Sequence, residues 1–69
     1  MLEDLLNIIK KYNPSSNTDI VERAYNYAAQ AHEGQKRVSG EDYIFHPLEV
    51  AMILAELNMD NITIAASLL

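Results

Sequence analysis

The chain lacks cysteine and tryptophan, and it holds only two glycines and two prolines among its 69 residues. Without cysteine no disulfide framework can form, and a domain this small ordinarily needs a staple, a metal or a partner surface for comfortable stability. Basic residues are also scarce, five against ten acidic, for a formal net charge of -5. A general nucleic-acid surface needs clustered positive charge, so direct DNA binding is excluded. A small anionic ligand is not excluded, because one local Lys-Arg pair can serve it. No apolar run approaches the roughly 20 residues needed to cross a bilayer. The opening stretch mixes charges into its apolar residues and has no small-residue cleavage site, unlike a secretory signal. A cytoplasmic location is the resulting default expectation.

What is present is an ordinary globular balance of 49% apolar and 22% charged residues. That is enough for one small packed core, too short for a second domain and too apolar for a disordered chain. Leu2, Leu5, Leu6, Ile8 and Ile9 follow the three-to-four spacing of an amphipathic helix, which Asn13-Pro14 stops after about Tyr12. Ser15 to Thr18 form a polar turn. Asp19 and Glu22 then have capping-box spacing, and Ile20, Ala24, Tyr27, Ala28 and Ala31 trace an apolar stripe, predicting a second helix over 19 to 32.

Gly34 supplies the next stop, and a long polar loop follows that holds both glycines. Loops of that length usually carry function or disorder. A third helix is predicted to begin at His46-Pro47, because proline suits the first helical position and Glu49 then falls in the positive first turn. Leu48, Met52, Ile53 and Leu57 are its expected buried face. Asp60 can cap a fourth helix, apolar nearly all round, through Ile62, Ile64, Ala65, Ala66, Leu68 and Leu69. That helix shows no stop signal, so the reading expects it to continue past Leu69. The expected class is all-α, a bundle of about four helices, with no internal repeat and no low-complexity segment.

The ordered set Ala31-His32-x-Gly34-Gln35-x-Arg37, Ser39-Gly40-Glu41-x-Tyr43, His46-Pro47 and Val50-Ala51-x-Ile53-Leu54 is far more constrained than a lone His-Pro pair. Over residues 19 to 69 it resembles the opening of the HD hydrolase domain of the RelA/SpoT family. The leader, residues 1 to 18, resembles the short helical start of the long multidomain members.

The resemblance implies an activity and a site. Members of this family remove pyrophosphate from the ribose 3′ position of guanosine polyphosphates, (p)ppGpp, with a manganese ion. An upstream His, a His-Asp pair and a distant Asp hold that ion. The upstream ligand maps onto His46, and neutral imidazole is a fitting donor for a divalent transition metal. The His-Asp pair and the distant Asp are not among these residues, so the resemblance implies a piece cut just before the pair and inactive alone. Arg37 matches the arginine that contacts the bound nucleotide, and guanidinium offers a fork suited to phosphate oxygens. Ser39 matches a position beside the base. Related hydrolases commonly place lysine after this arginine, its stem packed on the guanine. Val38 stands there instead, keeping the apolar packing but not the charge.

Each assignment has a plainer competitor. From composition alone, His46 is a helix-boundary residue and Lys36 and Arg37 are solvated loop charges. His32 sits at a helix end, where a partly protonated imidazole favours the negative dipole, and it is not counted as a ligand. Glu41 and Asp42 are read as loop-shaping rather than as an acid/base pair. Tyr25 and Tyr27, by helical spacing, and Tyr43 and Phe45, as loop anchors, are assigned to packing.

The resemblance implies that the whole protein is a (p)ppGpp pyrophosphohydrolase of the stringent response, either a hydrolase alone or one joined to a synthetase domain with GTP pyrophosphokinase activity. The alternative is a helical module that has lost its metal ligands and serves as a regulatory scaffold for the synthetase. A different HD phosphohydrolase is a third reading, against which the arginine-serine loop argues. Apolar faces of the third and fourth helices left without cover predict self-association of the 69-residue chain, or poor order near its C-terminus.

Overall fold

The computed structural model describes all residues, Met1–Leu69, and contains four helices: α1 (Leu2–Tyr12), α2 (Asp19–Ala31), α3 (Phe45–Glu56) and α4 (Asn61–Leu68). The class is all-α, as expected. No strand forms, and the one β-type pairing is an isolated antiparallel bridge between Lys36 and Asp42.

Helix α1 buries Leu5 and Ile9, one turn apart, and carries Glu3 and Asp4 in its first turn and Lys10 and Lys11 in its last. That polarity complements the helix dipole at both ends. The turn into α2 differs from the expected capping box. Thr18, not Asp19, is the N-cap, and it is 6% exposed. Its hydroxyl donates to Glu22 Oε2 at 2.9 Å, while Asn17 Oδ1 accepts the Asp19 N–H at 3.0 Å. The buried stripe of α2 is also rotated from the expected one: Val21, Ala24 and Ala28 are inside, whereas Ile20 and Tyr27 are 43% and 70% exposed. Ala31 is exposed as well. Small alanines let the backbone of α2 come close to α4, which leaves the bulkier tyrosine on the outer side.

Helix α3 starts one residue earlier than predicted, at Phe45, which puts Pro47 at the third helical position and Glu49 beyond the first turn. The cause lies in the loop. The N–H groups of Phe45 and His46 donate to the carbonyls of Asp42 and Tyr43, each at 3.2 Å, before Leu48 makes the first i to i−4 bond to Ile44 at 3.1 Å. None of the first helical positions needs an intrahelical donor, so Pro47 loses nothing there. The buried face is Leu48, Ala51 and Ala55, with Met52 partly buried. Ile53 and Leu57, expected inside, are 61% and 66% exposed. Alanines again occupy the side where neighbouring helices approach.

The end of α3 is closed by Asn58 in the left-handed region at φ 56. Its N–H reaches Ala55 O at 2.9 Å and the Met59 N–H reaches Leu54 O at 3.1 Å, the paired bonds of a Schellman stop. Asp60 then caps α4 as expected, accepting the Thr63 N–H at 3.0 Å and the Thr63 hydroxyl at 2.7 Å. Helix α4 buries Ile64, Ala65 and Leu68 but leaves Ile62 and Leu69 about 70% exposed, so it is not covered all round.

Of the three main helix packings, only α3 with α4 joins neighbours in sequence. Helix α1 lies on α3, α3 on α4 and α4 on α2, giving an elongated body of 36 × 19 × 17 Å. One core cluster runs through it and includes Leu5 and Ile9 of α1 together with Val21, Leu48, Ile64 and Leu68. At the far end, Asn61 Nδ2 donates to Ser16 Oγ at 2.7 Å and to Asn17 O at 3.0 Å, tying the α1–α2 turn to the start of α4.

Two predictions follow from this packing. Leu5 is fully buried, and its replacement by alanine is expected to cost about 2–5 kcal/mol. A core this small supplies roughly 3–5 kcal/mol, so L5A should abolish the cooperative thermal transition seen by circular dichroism. Asp60 has its pKa lowered from the ordinary 3.8, chiefly by the hydrogen bond from the Thr63 hydroxyl and then by the Thr63 N–H. Its cap therefore stabilises the fold above the unfolded value and is lost as pH falls through the lower folded value. The D60N variant should lose this part of the acid sensitivity, read from melting temperatures between pH 5 and pH 2.

Candidate functional site

The 13 residues between α2 and α3, expected to be either functional or disordered, form a folded hairpin. His32 ends α2 by donating its N–H to Ala28 O at 3.0 Å, and its own carbonyl accepts the Gln35 N–H at 2.9 Å. Gly34, at φ +79, reverses the chain between them. The His32 ring lies 2.9 Å from Gln35 through Nδ1 and Oε1. An amide oxygen only accepts, so this bond uses the Nδ1–H form of the imidazole.

Beyond Gln35 the two arms zip together. The Tyr43 N–H donates to Gln35 O at 3.1 Å, the Arg37 N–H to Glu41 O at 2.8 Å, and the Gly40 N–H to Arg37 O at 2.8 Å. Residues 37 to 40 are thus a tight turn with Val38 and Ser39 at its tip. Gly40 follows at φ +90, the conformation that a three-residue hairpin connection demands of its last residue. Opposite charges line the two arms: Lys36 pairs with Asp42, and Arg37 Nη1 lies 3.6 Å from Glu41 Oε2. Glu41 and Asp42 thus do shape the loop.

The predicted substrate-binding residues sit together at the hairpin end. Val38 is fully exposed, at 111% of the reference area, and Ser39 is exposed beside it. The Arg37 side chain is 39% exposed and shares its charge with Glu41, so an incoming anion must compete with that carboxylate. His46 is exposed at the second position of α3. No group of three or more His, Cys, Asp or Glu side chains comes together anywhere in the chain. Imidazole is the right donor type for manganese, but one donor does not hold an ion. The residues of this chain alone therefore do not fit a complete metal site.

The two clefts of the molecule lie elsewhere. One, of about 420 Å³, opens between the end of α1 and the α3–α4 connection and is lined by Tyr12, Asn13, Asn58 and Asn61. The other, of about 770 Å³, is an apolar trough on α2 and α4 bordered by Ile20, Tyr27, Ile62 and Leu69. Those outward side chains, together with Ile53 and Leu57, are exposed apolar surface.

Sequence reasoning missed the stack of the His32 and Tyr43 rings, whose centroids are 4.5 Å apart at 31°. Tyr43 anchors the loop to the end of α2 rather than to the core, and it remains 41% exposed. Tyr25 does pack on the core, whereas Tyr27 does not. The hairpin itself left a readable signal: Ser39-Gly40 at a turn, flanked by Lys36-Arg37 before it and Glu41-Asp42 after it.

Residues 24–69 match the family model described as "HD domain". The chain is 49% identical over 61 residues to a GTP pyrophosphokinase of Myxococcus xanthus, covering 88% of this chain and 8% of that protein. It is 51% identical over 69 residues to a probable GTP pyrophosphokinase of Mycobacterium leprae, covering 100% of this chain and 9% of that protein. A third relative, the GTP pyrophosphokinase rsh of Brucella abortus, is 46% identical over 66 residues, or 96% of this chain and 9% of its own length. No solved structure matches. The chain belongs to the RelA/SpoT family, within its HD domain, and spans less than a tenth of the length of these curated relatives.

The turn geometry carries its own test. No atom lies within 4 Å of a Cβ built on Gly40, so G40A meets only the backbone cost of a left-handed residue, roughly 1–2 kcal/mol. Amide exchange at Arg37 and Gly40 should quicken by about tenfold while the helices stay unchanged. Unchanged exchange at both amides would contradict the turn.

Proposed function

We propose that this chain is the nucleotide-facing opening of a (p)ppGpp 3′-pyrophosphohydrolase domain, within a longer cytoplasmic protein of the stringent response. The observation that carries the reading is the hairpin that presents Arg37, Val38 and Ser39 to solvent and runs directly into the helix start bearing His46. Arg37 would offer its fork to phosphate oxygens. Val38 would lie on the guanine face, burying an apolar side chain that now touches only water. Ser39 would hydrogen-bond at the edge of the base.

His46 would give one nitrogen to a manganese ion, whose remaining ligands would come from the rest of the whole protein. When bound, such an ion supplies Lewis-acid chemistry at a phosphoryl group. The residues of this chain would bind and orient the nucleotide, and by themselves they are expected to hydrolyse nothing. The relatives' name, GTP pyrophosphokinase, supports a whole protein that also carries a synthetase domain. Residues 1–18 would be the leader, packed through Leu5 and Ile9 on the helices of the hydrolase module.

The test is manganese-dependent release of pyrophosphate from (p)ppGpp by the full-length protein. Arg37→Ala should raise KM by roughly 10- to 100-fold, the worth of a charge-assisted hydrogen bond. His46→Ala should lower kcat by on the order of a hundredfold or more and weaken manganese binding. Full activity in His46→Ala would remove the ligand assignment. An inert wild-type protein would leave the scaffold reading in its place.

A further inference from the structure

We infer that Tyr43 is a positioning residue that holds the Arg37 hairpin and the His46 helix start in one rigid frame, with His32 as its clamp. The inference rests on the proposed roles of Arg37 and His46. The geometry behind it does not.

Three separate contacts converge on this residue. Its N–H donates to Gln35 O at 3.1 Å, closing the base of the hairpin, and its carbonyl accepts the His46 N–H at 3.2 Å, opening α3. Its ring stacks on His32 at 4.5 Å, and His32 is itself fixed as the last cap of α2 and by its 2.9 Å bond to Gln35. One residue, through the two peptide groups that flank its Cα, therefore links the hairpin that carries Arg37 to the helix turn that carries His46, and its ring ties both to the end of α2.

Asp42 also spans the two, accepting the Phe45 N–H and pairing with Lys36, but only Tyr43 adds a ring contact to the end of α2. The hairpin tip carries no apolar contact to the body, since Val38 is fully exposed. The pairs Lys36–Asp42 and Arg37–Glu41 are more than a third exposed, and such pairs hold little on their own. A free-standing two-stranded hairpin is marginal in water. Its orientation must come from the base, where Tyr43 sits. A nucleotide that binds the hairpin by its phosphates while presenting another phosphate toward His46 requires these two groups in fixed register, because small misplacements of binding groups cost large factors in rate.

The experiment compares wild type, Tyr43→Ala, Tyr43→Phe and His32→Ala in the 69-residue chain by amide exchange and by titration with guanosine tetraphosphate. The expected result is that Tyr43→Ala speeds exchange at Arg37, Gly40 and His46 together by about tenfold or more, with Thr63 unchanged. Its affinity for guanosine tetraphosphate, followed at the Arg37 and Ser39 amides, should fall by a similar factor. Tyr43→Phe keeps the ring and both backbone bonds, so it should restore both readouts, and His32→Ala should lie between. The coupling is overturned if Tyr43→Ala loosens only one of the two segments, or if Tyr43→Phe fails as badly as alanine. If wild type binds no nucleotide while the exchange pattern holds, the nucleotide reading falls and the frame stands as architecture alone.

Discussion

The carbonyls of Asp42 and Tyr43 accept the first two N–H groups of α3, and the rest of the site depends on that handover. A helix start leaves donors unsatisfied, and here they are met by the arm of a hairpin rather than by a capping side chain. The loop and the helix are thus one folded unit. The same two residues close the hairpin from the other side, Asp42 through its bridge and ion pair with Lys36 and Tyr43 through Gln35. Polar sequence that has no core of its own acquires order by borrowing the ends of two helices.

The body that supports this unit is built on closeness rather than bulk. Alanines at 24, 28, 51, 55 and 65 form nearly half of the buried set, and small residues let helix backbones approach. The larger apolar side chains are divided: Leu5, Ile64 and Leu68 are sealed inside, whereas Ile53, Leu57, Ile62 and Leu69 face water. With α1 on α3, α3 on α4 and α4 on α2, no helix is surrounded. A row of helices buries less than a closed bundle, which fits the expectation from length that the core is small.

Much of the architecture was legible in the sequence, and the misses share a cause. Periodicity located all four helices to within a residue or two, and Asp60 was readable as a cap because a short acceptor before an apolar run has few other uses. Ala24, Ala28 and Leu48 lie inside as the spacing predicts, while the large misplaced members of the two faces, Ile20 and Tyr27 in α2 and Ile53 and Leu57 in α3, reflect a ranking by hydrophobic size. Alanine is nearly silent on such a scale, yet at Ala51 and Ala55 it marks the buried side of α3. Pro47 misled by one turn position because proline tolerates any place in the first turn, so it bounds a helix start without fixing it. The roles proposed for Arg37, Ser39 and His46 rest on likeness to a family, not on spacing, and the structure adds that the hairpin presents the first two to solvent. The His32–Tyr43 stack was out of reach, since aromatic residues 11 positions apart across a loop carry no periodic signal.

A polar hairpin that is rigid can hold an arginine for a phosphate, whereas a floppy one would lose much of the binding energy to ordering. Backbone ¹⁵N relaxation across residues 32 to 46 of the wild-type chain tests this most directly. Order parameters for Arg37 through Asp42 close to those of the helices, about 0.85, would agree with a preformed site, and values below about 0.6 would contradict it.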